Sequence, residues 1–230
     1  AFRLGYMKNR GNKQTPIQIS DSYDTTDTDM VGKEEWAFIP KDAMPYLRYM
    51  ADPNYEHVYT VDQKPYVIDT GEKVILIGGM RLGGACGNGP VSPPSDTDPD
   101  GRSAYFALDI TDPLDPDYLW SYAPEGLGFT YSGPAYIKRE DSSGDLRHYA
   151  LFASGPTDYD GTSTQNLQFF VVDLLTGNEL DVYGDTSNEL NLSYAFGGRL
   201  FTKELDVNDD GQTDFVLICY SERNNANASY

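Results

Sequence analysis

The 230-residue chain carries 36 Asp and Glu against 17 Lys and Arg, a formal net charge of −19. Such a field repels phosphate backbones and anionic lipid, so it disfavours nucleic-acid and membrane-surface binding and suits a secreted protein bathed in calcium. No signal-like or membrane-spanning apolar run is present, and the start at Ala1 reads as a mature or trimmed segment of something longer.

Residues 1–32 lack apolar periodicity and read as a polar loop region. The carboxylates of Asp21, Asp24, Asp27 and Asp29 there could gather a second ion, although a solvated acidic loop is the simpler reading. From residue 33 to 220 the pattern is that of β-blades. Glu35-Trp36-Ala37-Phe38-Ile39 reads as a short strand, and Met44, Tyr46, Leu47 and Met50 at helical spacing predict one short helix over 41–51, stopped by Asp52-Pro53.

Strands are expected at 55–61, 66–69, 73–78, 104–110, 118–122, 131–138, 148–153, 167–173 and 215–220, separated by Gly, Pro, Asp and Asn clusters. The longest interruption, 81–101, contains Cys86 and the partial calcium-type pattern Asp96-Thr-Asp98-Pro-Asp100-Gly101. Its ninth place is Ala104, so a metal there would need ligands from elsewhere. Cys86 and Cys219 allow one disulfide or none. Residues 221–230 form a polar tail, which makes the expected organisation one β-domain, or a segment of one, over 1–230.

Two stretches restate one design. Tyr105-Phe-Ala-Leu-Asp109-Ile-Thr111-Asp, followed by Leu119-Trp120, matches Phe169-Phe-Val-Val-Asp173-Leu-Leu-Thr176-Gly177, followed by Glu179-Leu180. In each, an apolar strand ends in Asp, turns tightly, and returns. Repeats of this kind favour a propeller over a sandwich or barrel, with inserted loops widening the usual spacing of about 40–45 residues. The predicted fold is therefore all-β, a modified and incomplete β-propeller with one short helix.

The segment Asp206-Val-Asn208-Asp209-Asp210-Gly211-Gln212-Thr213-Asp214 carries the clearest chemistry. Oxygen-bearing side chains at alternate places, Gly at the sixth and a backbone carbonyl at the seventh are what a hard cation takes from a short loop. The expected calcium ligands are Asp206, Asn208, Asp210, the Gln212 carbonyl and Asp214. An EF-hand would place a bidentate Glu at the twelfth place, where this chain has Leu217, and would continue into a helix rather than a β-rich run. The alternative use of the same residues is a metal-free turn stabilised by Asx hydrogen bonds.

No Gly-x-Ser-x-Gly elbow, phosphate-binding Gly loop or Cys/His zinc set is present, and His57 and His148 sit in Tyr-rich runs that read as structural. Carboxylates abound, but none is singled out as a glycosidase pair. No enzyme activity is expected.

Glu35-Trp-Ala-Phe-Ile-Pro40, Met44-Pro-Tyr-Leu, Asp52-Pro-Asn-Tyr, His57-Val-Tyr-Thr-Val-Asp62, Ile75-Leu-Ile-Gly-Gly79, Ala104 to Pro113 and Trp120, in that order, resemble one family. It is the C-terminal β-propeller of the PilY-type biogenesis and tip-adhesin proteins of type IV pili. The resemblance implies a calcium loop of the form matched by Asp206 to Asp214, through which calcium regulates pilus extension and retraction, surface attachment and twitching motility. It also implies minor pilins and a host or abiotic surface as partners, and a pilus-tip location reached through the periplasm of a Gram-negative bacterium. Two other readings stand beside it. Phe169 to Leu180 is similar to a strand-turn repeat of quinoprotein dehydrogenase propellers, which would repeat that turn with a docking Trp in every blade; this chain has only Trp36 and Trp120. A purely structural calcium-stapled surface domain is the other.

Overall fold

The structure, a computed structural model, describes residues 1–2, 6–9, 17–20, 34–84, 103–180, 192–201, 203 and 205–222. The second ion sites considered at Asp21–Asp29 and at Asp96, Asp98 and Asp100 lie outside these residues, as does Cys86 and hence its pairing with Cys219. Cys219 itself is exposed. The chain divides into two compact units, Ala1–Ile39 and Pro40–Tyr230.

In the first unit, strand β1 (Tyr6–Asn9) pairs antiparallel with β2 (Ile17–Ser20), Tyr6 opposite Ser20. This corrects the reading of 1–32 as loop throughout: strands of four residues are too short to display a period. The strand expected at 35–39 does not form; Glu34 makes a single bridge to Phe2 and the chain then runs on without a ladder.

The second unit opens with a 3-10 turn, Lys41–Ala43, that feeds helix α1 (Met44–Met50), with Pro45 in the first turn where a missing N–H costs nothing. The helix expected over 41–51 is thus present. Four strands follow as a meander, β3 (Tyr66–Asp69), β4 (Val74–Gly79), β5 (Tyr105–Asp109) and β6 (Asp117–Tyr122), neighbours in sequence and in the sheet. A second meander comprises β7 (Ala135–Glu140), β8 (Leu146–Ala153) and β9 (Phe169–Asp173), extended by a bridge from Val172 to Glu179. Leu180 N–H donating to the Val171 carbonyl at 2.8 Å completes this reduced fourth strand. Finally β10 (Ala195–Gly197), which sequence reading missed, pairs with β11 (Tyr220–Glu222).

Two more expected strands are absent, both in the second unit. Residues 55–61 form no ladder, because Tyr49 and Tyr55 hydroxyls take the N–H groups of Glu56 (3.1 Å) and Val58 (3.3 Å). Residues 215–219 make only the Phe215–Leu205 bridge, and the strand there begins at Tyr220 and continues into what was read as tail. Leu217 and Ile218 are exposed, so apolar content without a partner did not suffice.

The two meanders stack through a shared core that includes Ile75, Ile77, Tyr105, Trp120 and Tyr122 from the first, and Tyr136, Phe152, Phe170 and Val172 from the second. Tyr105 and Phe152 rings lie parallel at 3.9 Å, and Tyr122 meets Phe170 edge-on at 6.1 Å. The second meander alternates: Ala135, Leu151, Ala153 and Phe169 turn to its other face, where they pack with Ala195, Leu200 and Val216. A sheet covered on both faces by its chain neighbours is how propeller blades stack, and among the described residues no closed ring or barrel is formed. The fold is all-β with one short helix and incomplete propeller-like architecture, as the sequence predicted.

Trp120 ties the meanders together at their edge. Its Nε1–H donates to the Leu174 carbonyl at 3.0 Å, and its indole covers Gly177, which has φ +69° and where an added Cβ would come within 2.5 Å of Cγ. Gly177→Ala should therefore cost about 1–3 kcal/mol from backbone strain and displaced indole, and Trp120→Ala about 3–5 kcal/mol, both read from urea unfolding. At the equivalent corner of the first meander, Asp109 accepts from Lys73 Nζ at 2.7 Å and from Thr111 N–H at 2.9 Å. The Lys73 ammonium, with the Thr111 hydroxyl and amide, holds its carboxyl down to about 2. A depressed folded value means stability that is present above the ordinary carboxylate pKa near 4 and lost as pH falls from there toward 2. Asp109→Asn should flatten the acid limb of the stability profile in that window, measured by denaturation at stepped pH.

Candidate metal centre

The acidic loop is a closed ring of local hydrogen bonds. Its ends are pinched by the Leu205–Phe215 bridge, with Asp214 N–H donating to the Leu205 carbonyl at 2.9 Å. Asp206, at the first place, accepts from Gly211 N–H on Oδ2 (2.7 Å) and from Asp210 N–H on Oδ1 (3.2 Å). Asp214, at the ninth, reaches back to Val207 N–H (2.8 Å) and Asn208 N–H (3.4 Å). Asn208 Nδ2 donates to Asp210 Oδ2 at 3.1 Å, and Asp210 Oδ1 takes Gln212 N–H at 2.8 Å. Two left-handed residues, Asp209 (φ 57°) and Gly211 (φ 83°), turn the chain tightly enough for this; Asp tolerates that region and Gly is free in it.

Four of the five expected ligands, Asp206, Asn208, Asp210 and Asp214, are thus drawn into one hydrogen-bonded turn. The fifth, Gln212, was expected to offer its backbone carbonyl. Its side chain has a separate use: Oε1 accepts Glu140 N–H of β7 at 3.1 Å. Next to it Thr213, buried, takes Lys138 N–H on Oγ1 and donates its own N–H to the Lys138 carbonyl, both at 2.9 Å. This attachment was invisible in the sequence, since nothing in the loop's spacing points to a strand some seventy residues earlier in the chain.

By donor chemistry the loop fits a hard cation: carboxylate and amide oxygens only, with no imidazole or thiolate. Each carboxylate retains lone-pair capacity beyond the N–H groups it accepts. Among the described residues, however, no group of three or more His, Cys, Asp or Glu side chains is already assembled as a metal site. The carboxylates of the loop are turned to its own amides, so taking an ion would redirect them inward.

Each of the two histidines meets a tyrosine ring. His148 on β8 stacks on Tyr136 with ring centroids 5.9 Å apart and shares a 2.7 Å hydrogen bond through Nδ1; burial, followed by the Lys138 charge, lowers its pKa. His57 meets Tyr59 edge-on at 5.0 Å. The quinoprotein-like turn Asp173–Gly177 does carry a docked Trp120, but the chain's one other tryptophan, Trp36, precedes the blades.

No family model matches the chain, and no solved structure matches it. Curated proteins do. A type IV pilus biogenesis factor PilY1 homolog of Xylella fastidiosa is 31% identical over 173 residues, which is 72% of this chain and 12% of that protein. A second from the same organism is 26% identical over 202 residues, 80% of this chain and 12% of that protein. The type IV pilus biogenesis factor PilY1 of Pseudomonas aeruginosa is 28% identical over 205 residues, 83% of this chain and 14% of that protein. The chain spans 12–14% of the length of these three relatives. Over most of its own length, then, this chain is a PilY1-type domain, homologous to one stretch of these larger proteins.

Proposed function

We propose that the chain is a calcium-binding, propeller-like module of a type IV pilus biogenesis and tip-adhesin protein, and that it has no enzymatic role. The observation that carries the pilus part is the similarity, over 72–83% of the chain, to relatives named as type IV pilus biogenesis factors. The calcium part rests on the donor set of Asp206, Asn208, Asp210, the Gln212 carbonyl and Asp214, held in one turn by residues at the right places. In this reading the module works outside the cell at or near a pilus tip, after passage through the periplasm of a Gram-negative bacterium. Its partners are minor pilins and the host or abiotic surface touched. No helix of the described residues is long and apolar enough to cross a membrane.

With ligands from a single short stretch and no bidentate Glu, the expected affinity lies in the sensor-to-extracellular range, roughly micromolar to millimolar. Calcium supplies positive charge among carboxylates that otherwise repel one another. The ion would then stabilise the fold by on the order of 2–3 kcal/mol at a hundredfold excess over Kd. Thermal melting in calcium and in chelator checks this: a higher Tm in calcium is expected, abolished in Asp210→Ala, and identical curves for the unmodified protein would show that the loop is a metal-free turn.

Occupancy of a surface loop can order or release a short segment without unfolding the blades. Calcium at this loop would let the module oppose pilus retraction and so tune attachment and twitching. Asp210→Ala and Asp210→Lys, placed in the full-length protein, remove the ion and substitute a tethered cation respectively. Counting surface pili with the retraction motor present should separate the two variants. If both assemble, retract and attach like the unmodified protein while calorimetry shows no calcium bound, the ion is a structural staple only.

A further inference from the structure

We propose that Gln212 and Thr213 are positioning residues that couple cation occupancy of the Asp206–Asp214 loop to the edge of β7, an inference that rests on the calcium reading above. Among the described residues, strand β7 pairs with a strand, β8, on one side only. Lys138 and Glu140 are two apart in it, so their N–H groups point to the same edge, the one away from β8. There they meet two side-chain acceptors from the loop, Thr213 Oγ1 at 2.9 Å and Gln212 Oε1 at 3.1 Å. Thr213 adds one backbone bond, from its N–H to the Lys138 carbonyl at 2.9 Å. The loop therefore caps the strand edge in place of another strand.

These two residues lie between Asp210 and Asp214, the fifth- and ninth-place ligands. Gln212 is the residue whose carbonyl would face the ion; its N–H is fixed by Asp210 Oδ1 at 2.8 Å and its amide side chain by Glu140. With both ends of the residue held, the carbonyl direction is set by β7 rather than by the loop alone. Thr213 is 6% exposed, so water cannot readily replace its hydroxyl as the acceptor for Lys138 N–H. Outer partners that orient ligands typically change metal affinity by about 10–100-fold when removed. By linkage the effect is reciprocal: whatever β7 contributes to calcium affinity, calcium contributes to the hold on β7.

The test uses the full chain, calcium alone as the probe, calorimetry for affinity and amide hydrogen exchange for the strand edge. Thr213→Val removes the acceptor at similar volume, Thr213→Ser restores it, and Gln212→Ala is a more exposed second change that leaves the backbone carbonyl in place. The expected result is that Thr213→Val and Gln212→Ala each weaken calcium binding about tenfold or more, while Thr213→Ser binds as the unmodified chain does. Exchange at Lys138 and Glu140 should slow on adding calcium to the unmodified chain. The coupling is overturned if calcium binds but Gln212→Ala and Thr213→Val keep the original Kd, or if exchange at Lys138 and Glu140 is the same in calcium and in chelator. Failure of the unmodified chain to bind calcium in calorimetry overturns the underlying metal reading instead, and the coupling with it.

Discussion

The stacking of the β3–β6 meander on the β7–β9 meander is the contact from which the other features follow. Tyr105, Phe152 and Val172 are fully buried between the two sheets, and Trp120, Tyr122, Tyr136 and Phe170 nearly so. At roughly 1.5–3 kcal/mol for each large apolar side chain removed from water, this layer outweighs any single hydrogen bond in the molecule. It also imposes a polar condition. The Tyr105 hydroxyl is carried into the interior, where it bonds Ser132 Oγ at 2.9 Å and accepts Gly133 N–H at 3.3 Å; burial raises its pKa and keeps it neutral. Ser132 Oγ in turn takes Ala153 N–H at 3.1 Å, so one buried hydroxyl links the two sheets.

With the blades stacked, the corners between strands become the places where backbone N–H groups need acceptors. Aspartate supplies them repeatedly. Asp69, Asp109, Asp141, Asp160, Asp173 and Asp210 each accept the N–H two residues ahead. Much of the acidity that reads as adaptation to calcium therefore has a local duty in turn formation. This frames the Asp206–Asp214 loop: its carboxylates form turns of the same kind, and it differs in bringing three carboxylates and an amide to a single turn. Repetition of the turn chemistry explains why the sequence shows two matching Asp-ended strands, while concentration of it in one loop is what suggests an ion.

The loop is attached to the side of the second meander rather than standing free. Its contacts with Lys138 and Glu140 occupy the edge that a further strand would otherwise take. An unpaired edge is a liability in any β-protein, and here polar side chains cover it without a continuous ladder. The exposed apolar residues Phe215, Leu217 and Ile218 follow immediately after the loop. The loop thus lies where covered sheet gives way to a stretch with one bridge to its name.

The sequence by itself determined the elements whose signal is local. The strands at 66–69, 73–78, 104–110, 118–122 and 148–153 are found within a residue or two of their expected bounds, because each has an apolar run closed by Gly, Pro or Asp. The helix stop at Asp52-Pro53 could be read in the same way, from spacing alone. Tertiary structure decided what depends on a partner. Residues 55–61 and 215–219 are as apolar or aromatic as true strands but lack a neighbouring edge, whereas Ala195–Gly197 is short and unremarkable yet becomes β10 because Tyr220–Glu222 lies beside it. Only the fold could bring Gln212 and Thr213 to β7, since a hydrogen bond across more than seventy residues leaves no mark in the spacing of either segment. A strand is half of an interaction, and its other half is set by where the chain returns.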